Sequence, residues 1–89
     1  MYVHLGGDLS ISDRWIVAIL DLDELNRSAV DDLRFWREAE AAERVEILSD
    51  SIPLSLVLTL DKIYLSPLPA KTLSLRLKRA QARMKSRNT

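Results

Sequence analysis

SLVLTLDKIYLSPLPAKTLSLRLKR, residues 55–79, carries a change of period that decides the fold. Leu56, Leu58 and Leu60 alternate with Val57 and Thr59, the two-residue repeat of an extended strand. Asp61-Lys62 reads as a two-residue turn, and Ile63-Tyr64-Leu65 returns as a second strand. Pro67 and Pro69 cannot continue a ladder but suit the approach to a helix, where a missing N–H costs nothing. From Ala70 the apolar positions become Leu73, Leu77, Ala80 and Met84, steps of four, three and four along one helical face. The remaining faces carry Lys71, Arg76, Lys78, Arg79, Arg83, Lys85 and Arg87, and residues 71–89 contain no carboxylate.

Upstream, Tyr2–Leu5 reads as a strand, Gly6-Gly7-Asp8 as a turn and Leu9–Ile11 as its return, because paired glycines accept positive φ without steric cost. After a second turn at Ser12-Asp13-Arg14 comes Trp15–Leu20. It is apolar on both faces, as expected of a central strand covered on both sides or of one covered on one side by a partner subunit. Asp21–Glu24 reads as its acidic end. Ser28–Asp31 has the form of a capping box with Asp in place of Glu. Val30, Leu33, Trp36 and Ala39 then form an apolar stripe with Phe35 beside it. The pairs Arg34–Glu38 and Glu40–Arg44 add about 0.2–0.5 kcal/mol each, and the helix ends near Ala42–Glu43. Val45–Leu48 reads as extended, and Ser49–Pro53 as a polar loop. The expected architecture is α+β: a small antiparallel sheet of short strands in the order β-β-β-α-β-β-β-α, closed by a basic C-terminal helix.

The chain is 89 residues long, one domain, with about the last five residues expected to fray. Folding at this length buries only about 60–65% of the chain's surface, so association is a natural source of further stability. No cysteine is present, which leaves neither a disulfide framework nor a thiolate metal site. No apolar run approaches the length of a membrane span, and the N-terminus has no secretory pattern, so a cytoplasmic location is expected. The net charge of zero conceals a split. Residues 1–70 hold six Lys/Arg against all thirteen Asp/Glu, a balance of −7, whereas residues 71–89 hold seven Lys/Arg and no acid, a balance of +7. Such a helix suits nucleic-acid phosphate or the acidic surface of a neighbouring subunit, and both readings are open. It lacks the aromatic side chains of a single-strand stacking platform. Without Trp or Phe on its apolar face, a membrane-surface role ranks third.

No catalytic constellation emerges, and an enzyme is not expected. His4 is the sole histidine, on a strand beside Leu5, and reads as structural or interfacial. Asp21, Asp23 and Glu24 do not have calcium-loop spacing, and no metal or cofactor is expected. Ser10, Ser12, Ser49 and Ser51 lie in or beside turns, with no histidine spaced to act as their base. Trp15 and Trp36 read as core or subunit-interface anchors.

Two stretches, YVHLGGDLSISDRWIVAILDLD and DKIYLSPLPAKTLSLRL, resemble the B-type branch of the extracellular matrix regulatory protein family, small bacterial proteins of this length. The resemblance covers nearly the whole chain. It implies a DNA-binding transcriptional regulator of biofilm-matrix genes. A-type members assemble into closed rings whose outer basic surface engages DNA, and their arginine before the third strand matches Arg14. Their adjacent arginine pair before the fifth strand has no counterpart: the loop here reads Asp50-Ser51, with Pro53 after it. Without the resemblance, Arg14 is a turn arginine neutralised by Asp13.

Two functional expectations follow. The first is an oligomeric, ring-forming DNA-binding regulator, contacting double-stranded DNA through Arg14, Arg76, Lys78, Arg79 and Arg83, with Trp15, Val17 and Ile19 at the subunit interface. The second is an oligomeric protein-interaction module of the same regulatory system that does not itself bind DNA. No small-molecule substrate and no membrane enters either one.

Overall fold

Leu56, Val57 and their neighbour Ser55 are buried together on one strand, which places β5 (Ser55–Thr59) at the centre of the molecule. The computed structural model describes residues 1–27, 38 and 40–87, with side-chain surroundings for 1–25, 38 and 40–82. On one side of β5 runs β3 (Ile16–Asp21) and on the other β6 (Ile63–Ser66), both antiparallel to it. The short β4 (Val45–Ile47) lies parallel to β6, so the order is β3-β5-β6-β4. β1 (Tyr2–Gly6) and β2 (Leu9–Ser12) form a separate antiparallel hairpin. The expected α+β class holds, but the strands divide into two sheets and β4 is the parallel exception.

Register explains the two faces of the larger sheet. Ile19 pairs with Val57 and Val57 with Tyr64; one step along, Leu20 pairs with Leu56 and Leu56 with Leu65. Because successive side chains alternate, the first row faces one side and the second row the other. The first side holds the main core: Val57 and Tyr64 pack with Val3 and Leu5 of β1 and with Leu73 and Ala80 of the C-terminal helix α2 (Ala70–Arg87). On the second side, Leu56 and Ile63 gather Leu20, Leu22, Val45, Leu58 and Leu65.

The Gly6-Gly7 turn forms as expected, at φ 121° and 57°. A Cβ on Gly7 would sit 2.6 Å from the Leu48 carbonyl oxygen, so this position needs glycine for space as well as for its backbone angle. Residues 38, 40 and 41 are helical and lead into a turn at Ala42-Glu43, where Glu43 takes φ 55°, close to where the sequence placed the helix end. The capping box at 28–31, the stripe Val30-Leu33-Phe35-Trp36-Ala39, the Arg34–Glu38 pair and residues 88–89 lie outside the described residues.

Four expectations are corrected. β3 is an outer strand of its sheet, not a central one; its exposed residue Val17 sits at an irregularity in the pairing between Ile16 and Ala18. Trp15 belongs to a short 3₁₀ turn (Asp13–Trp15) before that strand and stands 48% exposed, so of its two expected roles, core or subunit-interface anchor, the core one does not hold. Leu22–Arg27 forms a helix, α1, where an acidic strand end was expected. The Asp21 carboxylate accepts hydrogen bonds from the N–H groups of Asp23 (2.9 Å) and Glu24 (3.4 Å), which caps that helix. The β5–β6 turn is also displaced by one residue: it consists of Leu60-Asp61, since the Thr59 N–H bonds the Lys62 carbonyl at 2.9 Å and the Thr59 hydroxyl spans the same gap.

Candidate nucleic-acid and subunit surface

The proline-punctuated connection that delivers α2 is held by two buried serines. Ser55 Oγ donates to the Leu68 carbonyl at 2.8 Å. Ser66 Oγ donates to the Leu5 carbonyl of β1 and accepts from the Leu68 N–H at 3.0 Å. A tight approach lies beside them, since a Cβ on Gly6 would come within 2.9 Å of Pro67 Cδ. Sequence reasoning singled out the turn serines and missed these two. Ser66-Pro-Leu-Pro before a helix was the available signal, but only the tertiary structure supplies the partners.

α2 thus leaves the core junction with its direction set. Leu73 and Ala80 face inward, and the exposed Leu75 lies on the opposite side. The cations of the helix occupy two positions around it. Lys71 and Lys78, both exposed, are seven residues apart, nearly two turns, on the side away from the core; the exposed Arg79 and the half-buried Arg76 are a turn apart on one flank. Among the described residues, no carboxylate is within ion-pair distance of Lys71, Lys78 or Arg79.

Arg76 is in a different position from the others. Its Nη1 donates to the His4 carbonyl at 3.0 Å and lies 3.4 Å from His4 Nδ1. His4 Nε2 lies 2.8 Å from the Gly7 carbonyl, an arrangement that makes Nε2 the donor and Nδ1 the acceptor for Arg76. Arg76 therefore docks α2 against β1, and His4 has the structural role expected of it. Among the described residues, Arg79 has no such partner. With Arg76 it lines a shallow cleft of ≈ 270 Å³ whose opposite wall is Met1–His4.

Arg14 is exposed on the 3₁₀ turn, its N–H bonded to Ser12 Oγ at 3.3 Å. Asp13 does not neutralise it: the Asp13 carboxylate is buried and paired at 3.1 Å with the Met1 amino group. Asp50 and Ser51 are both exposed, in a loop where the Ser51 N–H bonds Ser49 Oγ at 3.1 Å. This loop follows Leu48, whose carbonyl touches the glycine turn, whereas Arg14 follows the other end of β2. The Arg83 backbone is helical, and its side chain lies outside the described residues.

Of the three expected interface residues, Val17 is 62% exposed on the outer strand. Trp15 precedes that strand, on the 3₁₀ turn. It lines a notch of ≈ 240 Å³ between the hairpin and the β5–β6 turn, together with Tyr2, Ser10, Ile11, Ser12, Thr59, Asp61 and Tyr64. Ile19 is half-buried against the main core. Within the notch, burial holds the Tyr64 hydroxyl above its ordinary pKa, helped by the negative charges of Glu46 and Asp61 and opposed by Lys62.

No family model matches the chain. It is similar to the extracellular matrix regulatory protein B of Bacillus subtilis (strain 168), with 36% identity over 81 residues that cover 91% of this chain and 91% of that protein.

Proposed function

Because the chain belongs to the extracellular matrix regulatory protein B family, a set of matrix regulators by name, we propose that it is an oligomeric regulator of extracellular-matrix genes, acting in the cytoplasm and binding double-stranded DNA through phosphate contacts. The observation that carries the reading is the exposed cationic face of α2. Lys71, Lys78 and Arg79 project without carboxylate partners among the described residues, on a helix that contains no acid. Phosphate contacts of this kind supply affinity without reading base sequence. Arg14 adds an exposed cation, and Arg76 contributes chiefly by holding α2 in place. No enzymatic step belongs to this reading.

Oligomer formation draws its support from the two outer strands of the larger sheet. β3 presents Val17, and β4 presents the exposed Ile47. Contacts between two different edges are heterologous, and they close into a ring when the rotation between subunits allows it. The second reading, an oligomeric interaction module that leaves DNA to another protein, is favoured by one observation: the exposed Asp50-Ser51 loop carries no cation.

Light scattering combined with duplex titration at several salt concentrations tests both. A discrete multimer whose duplex affinity falls steeply with salt is expected. Arg79→Ala or Lys78→Ala should each reduce the slope of log K against log salt by about one, with the mass unchanged. A multimer that ignores duplex DNA even at low salt would move the assignment to the interaction module. A monomer would remove the oligomer from either reading.

A further inference from the structure

The aromatic side chains that α2 lacks are brought to it by other parts of the fold. Tyr2 is 77% exposed on β1 and Trp15 is 48% exposed on the 3₁₀ turn, and both line the notch between the hairpin and the β5–β6 turn. Tyr2 also walls the neighbouring cleft, whose far side is Arg76 and Arg79. A single side chain therefore separates an aromatic notch from a cationic cleft.

We infer that this strip binds single-stranded nucleic acid, with unpaired bases against Tyr2 and Trp15 and the adjoining phosphates at Arg79. The inference deepens the DNA-binding reading above and rests on it. The division of labour follows from charge. Asp61 borders the notch, where its carboxylate disfavours phosphate but can accept from an amino group on a base edge; its Oδ1 already accepts from the Thr59 hydroxyl at 3.2 Å. The cleft on the other side of Tyr2 contains two arginines, a surface suited to phosphate. Stacking on exposed rings is tolerant of sequence because every base has a π-face, and arginine beside the ring reinforces it. A duplex keeps its bases stacked and offers none to the notch, so this part of the surface is specific to unpaired strands.

The test compares a labelled oligothymidylate with a duplex of equal length, measured by fluorescence anisotropy on the full chain, alongside light scattering. Tyr2→Ala and Trp15→Ala should each weaken oligothymidylate binding by about five- to a hundred-fold, the range of one stacked base, and leave duplex binding within about twofold. Trp15→Phe should retain most of the affinity, which separates a stacking role from the loss of a particular residue. Both positions are exposed, so little folding cost is expected. Four results overturn the inference. Aromatic variants that bind oligothymidylate as well as the parent does would leave only phosphate contacts. Duplex binding without any oligothymidylate binding also removes it, while sparing the reading on which it rests. A changed particle mass in the aromatic variants would assign the strip to a subunit interface instead. Binding to neither probe would sink both readings together.

Discussion

Replacing Ser66 by alanine should be among the most damaging single-atom deletions in this chain. The residue is fully buried, and its hydroxyl serves two backbone groups at once: it donates to the Leu5 carbonyl and accepts from the Leu68 N–H at 3.0 Å. Both groups lose their partner in Ser66→Ala. A buried polar group left unsatisfied costs about 1–3 kcal/mol. Leu68 is only half-buried, so its N–H belongs at the lower end of that range, and the total comes to about 2–4 kcal/mol. A domain of this length has about 4–13 kcal/mol of stability in all. The loss should therefore lower Tm by about 10–30 °C. Urea unfolding followed by circular dichroism, at one fixed protein concentration, measures it; the midpoint should fall with the slope m unchanged. Ser10→Ala, on an exposed hydroxyl of the hairpin, is the control and should stay within about 0.5 kcal/mol. A cost for Ser66→Ala below about 1 kcal/mol would refute the reasoning, because it would mean that the hydroxyl does not join β1 to the connection leading into α2.

Three further outcomes follow from the packing and the titration. Leu73→Ala should cost about 2–5 kcal/mol, whereas Leu75→Ala, on the exposed side of the same helix, should cost within about 0.5; equal effects in urea melts would mean that α2 docks by another face. Gly7→Ala should destabilise by more than Gly-to-Ala changes at permissive sites, since the new Cβ meets the Leu48 carbonyl at 2.6 Å in a backbone region with φ 57°, and a neutral result by thermal melting would contradict that approach. Tyr64 is held above the ordinary value of 10.0 in the folded chain, so its contribution is fully present below pH ~10 and is lost as pH rises through the folded value; stability curves against pH should fall less steeply there in Tyr64→Phe.

What was legible in the sequence is what local periodicity and turn chemistry determine. The switch from two-residue alternation to a four-three-four spacing across Pro67 and Pro69 marks β5, β6 and α2 correctly, and Gly6-Gly7 marks the first hairpin. The position of β3 was not legible. An apolar run on both faces states only that both faces find some cover. Here Ile16 and Ile19 meet one core and Leu20 the other, while the strand still sits at the sheet's outer side. α1 had a signal that was read differently: Asp21 followed by Asp23 and Glu24 is an N-cap with an acidic first turn, but six residues are too few to show a helical apolar period. In the candidate site, the cations of α2 were visible as a group. Their unequal roles were not, because the partner of Arg76 lies 72 residues away on β1.

That inequality bears on what α2 is for. Seven like charges on one helix repel, and same-sign neighbours a turn apart, such as Arg76 and Arg79, cost about 0.2–0.5 kcal/mol per pair. A helix needed only to cover the core would lower this cost with carboxylates at intervening positions, and thirteen carboxylates are present elsewhere in the chain. Instead, β1 takes up one arginine through the His4 carbonyl, an uncharged group, so even that contact leaves the positive field of α2 intact. The fold thus holds the helix firmly by its apolar face and by Arg76 while leaving Lys71, Lys78 and Arg79 without an anionic partner among the described residues. An anion supplied from outside the chain relieves that repulsion, and a phosphate backbone does so along the whole length of the helix.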